Sequence, residues 1–299
     1  MEHFHRKAFI GTILLCGLLF LSLSVLAGCH HELPLTESDS APNLQEGAPS
    51  AEAATTLPST ASEPPSSTTA TTEVPPSESE PITEEEPRQF LIVIDPGHQL
   101  YGDYSEEPLG PGSDQLKARV SSGTEGTVTK LPEHELNLTV SLLLQQELLA
   151  RGYRVVLTRE TADVSISNGE RALIANDLHA DAFLRIHANS DSDSSVHGAL
   201  TICMTPNNTY NSDIYEESRL LSDHILTELC LLTGAKNRSV WETDSMTGIN
   251  WSQVPVTIVE MGFLSNEAED RLLSDPNYQE KIVEGIENGL DRYFTALTQ

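Results

Sequence analysis

The chain has 299 residues, of which 45 are acidic and 17 basic, for a formal net charge of −28. So acidic a composition argues against a nucleic-acid partner, because phosphate binding requires a basic surface. Four cysteines without a C-x-x-C pair offer no thiolate metal motif or redox motif.

The first segment has a short basic start, with Arg6 and Lys7, and then the apolar run IGTILLCGLLFLSLSVLAGC. This pattern predicts a signal peptide over residues 1–28. Its end, Leu26 to Cys29, resembles the bacterial lipobox, whose cysteine becomes the lipidated first residue of the mature protein. An uncleaved membrane-spanning anchor is the alternative, since the run is nearly long enough to cross a bilayer. Both readings place the rest of the chain on the extracytoplasmic face of the cell membrane, in the first case anchored by a lipid on Cys29. Residues 29–88, dominated by Ser, Thr, Pro, Ala and Glu, have no hydrophobic periodicity and predict a disordered acidic tether. One globular domain remains, 89–299.

Within it, strand and helix patterns alternate. FLIVID (90–95) reads as a buried strand stopped by Pro96 and Gly97, with His98 at its C-terminal end. A long loop rich in Gly, Ser and Asp (99–131) follows, then a helix over 132–152 with Leu136, Val140, Leu143 and Leu144 on one face. A strand over 153–159, a helix over 167–180, a strand from 181 that leaves at His187 and a strand over 198–204 come next. A helix over about 212–232, a loop holding MTGINW, a strand over 256–261 and two terminal helices complete the order. Such alternation predicts an α/β domain, a mixed and mostly parallel central sheet flanked by helices. Cys203 and Cys230 either pair in an oxidising exterior or stay as two buried thiols.

Three apolar runs end on ionisable groups: His98, His187 and Glu260. Such ends are unfavourable unless the group has a partner or a task. The helix opening at LPEHEL adds Glu133, His134 and Glu135. Two histidines and a carboxylate from separate elements, with a fourth position open, make a catalytic zinc site, and a further carboxylate nearby can move protons. The separations, about 35, 54 and 73 residues, are those of no local metal motif.

At these residues the sequence resembles a known family. IVIDPGHQ, the E-x-x-x-N-L of EHELNL, LTRET, ERALIAND, IHANS and VPVTIVEMGFLSN occur in the order and at about the spacings of the zinc-dependent N-acetylmuramoyl-L-alanine amidases of bacterial cell walls. The resemblance covers essentially residues 90–296. It implies a six-stranded mixed sheet flanked by helices. It also implies one Zn²⁺ per chain and hydrolysis of the amide between N-acetylmuramic acid and the L-alanine of peptidoglycan stem peptides. Residue by residue, the zinc ligands match His98, Glu133 and His187, and the catalytic glutamate matches Glu260. Where the family usually has a serine two residues before the second histidine, this chain has Arg185.

The remaining polar residues have plainer readings. His134 and Glu135 are expected to be solvated or to support the ligands, and Arg171, Asn176 and Asn189 to fix loops. Asp95 is expected to orient the His98 loop or a ligand histidine, and His197 is a weak neighbour candidate. Asn250 and Trp251 either shape a substrate groove or pack in the core. Two other functions keep the same residues: a zinc peptidase or deacylase acting on another amide, and a catalytically silent wall-binding or regulatory module. A protein regulator is a further expected partner, since the 99–131 segment lies where it can gate a cleft.

Overall fold

The computed structural model describes residues 90–299. The expected signal peptide, Cys29 and the expected tether lie outside the described residues. The first half of the domain runs β1 (Leu91–Pro96), β2 (Asp103–Pro108), β3 (Leu116–Val120), α1 (Glu133–Ala150), β4 (Arg154–Leu157), α2 (Asn168–Asp177) and β5 (Ala182–Asn189). The second half runs β6 (Ala199–Cys203), α3 (Tyr215–Thr233), β7 (Asn237–Glu242), α4 (Thr247–Asn250), β8 (Val256–Phe263), α5 (Glu267–Leu273) and α6 (Pro276–Leu297). Six strands form one mixed sheet in the order β4-β1-β5-β8-β6-β7, parallel at every pairing except β6 against β8.

Both faces of this sheet are covered, which is why β1 reads as an unbroken apolar run. On one face Ile92, Ile94, Leu184, Ile186 and Val259 pack with Leu136, Val140, Leu144 and Leu148 of α1 and with Ile282, Ile286 and Leu290 of α6. On the other, Val93, Phe183, Ile202 and Ile258 pack with Ala172 and Ala175 of α2. Helices α3 and α6 approach closely because Gly285 and Gly289, one turn apart, face Leu229 and Ile225; a side chain at either glycine would collide with α3 backbone. A capping box between Ser167 and Glu170 starts α2. No helix among the described residues is long and apolar enough to cross a membrane.

Two elements depart from the sequence reading. The 99–131 segment is not a plain loop: β2 and β3 form an antiparallel hairpin within it. DYSEEP lacks β-branched residues and is mostly solvent-facing, so it has no period-two apolar signal. Its inward carboxylate, Glu107, is held by Ser167 Oγ at 2.6 Å and by Gly169 N at the start of α2. The loop before MTGINW contains β7, the sixth strand, at the sheet edge. NRSVWE is largely exposed, and Ser239 sits at φ 71° where the β6–β7 register shifts. An edge strand with a bulge is polar because one side faces water, and it carries little alternation. Cys203 and Cys230 are free thiols, and burial pushes both up to about 11.

Candidate metal centre

Strands β1, β5 and β8 are adjacent and parallel, so their C-terminal ends share one edge of the sheet, where loops are rigidly carried. His98 stands two residues beyond β1 with φ 60°, a left-handed conformation unfavourable by about 1–2 kcal/mol for a residue with a Cβ. The loop is held there by backbone carbonyls that accept from buried side chains. Arg159 Nε donates to Pro96 O at 2.8 Å and Nη2 to Gly97 O at 3.0 Å. Arg171 reaches Pro96 O at 2.9 Å and His98 O at 3.1 Å. Any side chain at Gly97 would collide with the His187 imidazole, so the loop crosses directly against that ring only as glycine.

Glu133 opens α1 and is buried between the two histidines. Its Oε1 lies 3.0 Å from His98 Nε2 and 3.2 Å from His187 Nδ1, and the ligand atoms of all three residues lie within 4.8 Å of one another. The carboxylate is steadied by Thr124 N (3.0 Å) on Oε2 and by Ala188 N (3.2 Å) and Asn137 Nδ2 (3.3 Å) on Oε1. Asn137, one helical turn after Glu133, also donates to Gly97 O at 3.2 Å and so ties α1 to the His98 loop. Sequence reasoning quoted Asn137 only as part of a motif; its i, i+4 spacing from Glu133 is the signal for this role.

The donor set fits a divalent metal. His98 Nδ1 lies 2.9 Å from Ser121 O, which can only accept, so Nδ1 donates there and Nε2 is the ring atom turned toward Glu133. At 3.0 Å, Nε2 and the carboxylate need a positive charge between them, either a proton on Nε2 or a metal ion. Burial, reinforced by the charges of His98 and Arg185, holds His187 down at about 4, so its ring is neutral at pH 7 as a ligand must be. Burial alone would raise Glu133, but hydrogen bonds from His187 and His98 outweigh it and keep the carboxylate ionised well below its ordinary range. His187 Nε2 is buried and has no hydrogen-bond partner among the described residues. Such an orphaned buried group is rare unless something binds it. Two imidazoles and one carboxylate are a zinc donor set.

Glu260 is the register partner of His187 across β5 and β8. Its Oε2 is buried and unpartnered among the described residues, and burial, aided by the Glu133 charge, pushes the carboxyl up to about 8 against the opposing pull of Arg185. His98, His187, Glu260 and Arg185 line one cavity of about 360 Å³, together with Lys117 and Ser121 and with Met246 to Gly248.

The supporting residues fall as follows. Asp95 accepts from Arg171 (2.7 Å), Arg185 (2.9 Å) and Thr158 (2.5 Å), and through Arg171 it secures the His98 loop. Asn176 bonds Trp251 O and Gln253 N and fixes that turn. Asn250 and Trp251 do not shape the cavity; they bond Leu109 O and Pro108 O and dock the hairpin. His134 is buried, Glu135 is exposed, and His197 is exposed with its ring on Ser195 O.

Comparison with known proteins agrees with this geometry. Residues 92–292 match the family described as N-acetylmuramoyl-L-alanine amidase. The chain belongs to that family. Among amidases, LytC of Bacillus subtilis (strain 168) is 30% identical over 203 residues, 68% of this chain; the matched part is 35% of LytC, so the chain spans about a third of that relative. The amidase Ami1 of Mycobacterium smegmatis shares the fold, with a TM-score of 0.63 at 23% identity over 71% of this chain and 99% of Ami1. The CwlD amidase of Clostridioides difficile, solved in complex with the GerS lipoprotein, has a TM-score of 0.56 at 26% identity, covering 69% of this chain and 99% of CwlD.

Proposed function

We propose that this chain is a zinc-dependent N-acetylmuramoyl-L-alanine amidase that remodels peptidoglycan from the outer face of the membrane. The observation that carries the reading is Glu133 Oε1 set between His98 Nε2 and His187 Nδ1, with Glu260 beside them in the same cavity. His98, Glu133 and His187 hold the zinc, which supplies Lewis-acid polarisation of the carbonyl and a more acidic water.

The chain's own residues do the rest. The cavity orients the amide between the lactyl carbonyl and the L-alanine nitrogen. With the positive charge of a bound metal opposing the burial that raises it, Glu260 would be ionised, and it takes a proton from water as the water oxygen bonds to the carbonyl carbon. The C–N bond then breaks, and Glu260 returns a proton to the departing nitrogen. The products are a muramic carboxylate and a free L-alanine amine. Glu260 ends in its starting state.

The tether and the lipobox-like Leu26 to Cys29 support attachment through a lipid on Cys29. A protein regulator belongs to the same reading, in keeping with the CwlD complex. The deciding experiment incubates the zinc-loaded protein with purified peptidoglycan and identifies released stem peptides by mass. New free L-alanine amino termini support the amidase; cleavage inside the stem peptide, with no such termini, would make it a peptidase.

A further inference from the structure

In a chain with 45 acidic and 17 basic residues, the ground beneath the metal centre is unexpectedly cationic. Arg159, Arg171 and Arg185 are buried there, and Asp95 is the carboxylate that faces Arg171 and Arg185. Arg159 and Arg171 direct their remaining donors to the loop carbonyls already described. Arg185 differs. Its Nε donates to Asp95 Oδ2 at 2.9 Å and its Nη2 to Asn168 Oδ1 at 2.8 Å, while Nη1 has no acceptor among the described residues. Nη1 lies against Gly248 so closely that a side chain there would collide with it, and both residues line the cavity. Lys117 of β3 lines the same cavity, with Nζ on Ser245 O at 2.8 Å and no carboxylate partner among the described residues.

A guanidinium held rigidly with one nitrogen unfilled, lining the same cavity as an ammonium that has no carboxylate partner, is a receptor for an anion, and the two cationic donors suit the two oxygens of a carboxylate. Arg185 and His187 alternate onto one face of β5, so their Cα atoms are about 6.6 Å apart along the strand. That is the span of roughly two residues of extended peptide. On the amidase reading of the site, we propose that Arg185 and Lys117 form a subsite for a carboxylate on the peptide arm of the substrate, within a residue or two of the L-alanine. The chain thereby selects stem peptides that carry a free acid at that position over those in which it is a carboxamide. A carboxamide has one acceptor oxygen and turns its N–H₂ toward the other donor without a charge to offset the two cations, whereas a carboxylate accepts from both through separate oxygens.

The test uses the full chain, zinc-loaded, and two synthetic stem peptides that begin with L-alanine and differ only in whether the second residue bears a carboxylate or a carboxamide. Binding is followed by NMR titration. The acid peptide is expected to bind at least about tenfold tighter, the scale of one charge-assisted hydrogen bond. Lys117→Met, an exposed change that keeps the aliphatic stem, should reduce that ratio several-fold, and Arg185→Gln should abolish it. Melting temperatures accompany both variants; if Arg185→Gln does not fold, Lys117→Met decides. Equal binding of the two peptides by the parent chain, or an unchanged ratio in folded Lys117→Met, overturns the subsite. Hydrolysis of the matching muramoyl peptides is measured in parallel. Acid-selective binding without hydrolysis of either would leave the subsite and remove the amidase reading; hydrolysis of both with equal KM would do the reverse.

Discussion

His187 and Glu260 face each other in register on adjacent parallel strands, β5 and β8, and each presents a buried polar atom that no described residue satisfies. One belongs to the metal centre and the other stands outside it. On the proposed reading, this pairing separates metal holding from proton transfer, and the two roles respond to different substitutions.

Glu260→Gln keeps the shape of the side chain and removes its ability to carry a proton. The variant should retain near-stoichiometric zinc and an unchanged melting temperature while losing roughly 10²–10⁴-fold in turnover, the scale of general acid–base catalysis. Metal content, melting temperature and amide hydrolysis on one preparation check this. Near-normal hydrolysis would refute the proton-transfer role.

Removal of a ligand should have the opposite signature. His187→Ala is expected to hold far less than one zinc per chain with a largely intact fold. Asn137→Ala, which loosens Glu133 and the Gly97 carbonyl together, should weaken zinc affinity by about 10- to 100-fold. Competition with a chelator of known affinity measures both. Full zinc occupancy in His187→Ala would show that the ligands are misassigned.

Asp95 governs stability through Arg171 and Arg185. Burial acts to raise its carboxyl, but the two guanidinium charges and the Thr158 hydroxyl prevail and hold it far below the ordinary carboxylate range. With its folded pKa depressed, the stabilisation is fully present above the unfolded value of about 3.9 and is lost as pH falls below it. Asp95→Asn leaves two buried guanidinium groups without a counter-charge, and should destabilise the fold by about 3–5 kcal/mol at pH 7. Denaturant unfolding from pH 2 to pH 7 reads both effects: the gap between parent and variant should narrow in acid, and a constant gap would contradict the assignment.

Attachment to the membrane is tested at Cys29. Cys29→Ser should abolish incorporation of a labelled fatty acid and release the protein from the lipid-anchored fraction. Label that persists in the variant would point to another attachment site.

Much of this molecule can be read from local pattern. The run Leu91 to Asp95, the stripe Leu136, Val140, Leu144 and Leu148, and the capped start of α2 announce their elements because the apolar face that each must bury is written at its own period. The hairpin β2–β3 and the edge strand β7 are silent in that code: their residues largely face water, and they are held by partners far away in sequence, Ser167, Gly169 and Trp251 for β2, and strand β6 with Tyr215 and Arg219 for β7. The same divide runs through the site. An ionisable group at the end of an apolar strand is conspicuous in sequence, so His98, His187 and Glu260 stand out by the energetic penalty of their positions. That they meet depends on β1, β5 and β8 being neighbours with a particular register, and on α1 starting where Glu133 enters between two rings. Arg185 shows the limit most clearly. In sequence it is only an unusual residue beside a histidine. The packing of Asp95, Asn168 and Gly248 around it decides which of its nitrogens are engaged and which one is left free, because hydrogen-bond satisfaction is a property of the folded neighbourhood and not of the residue.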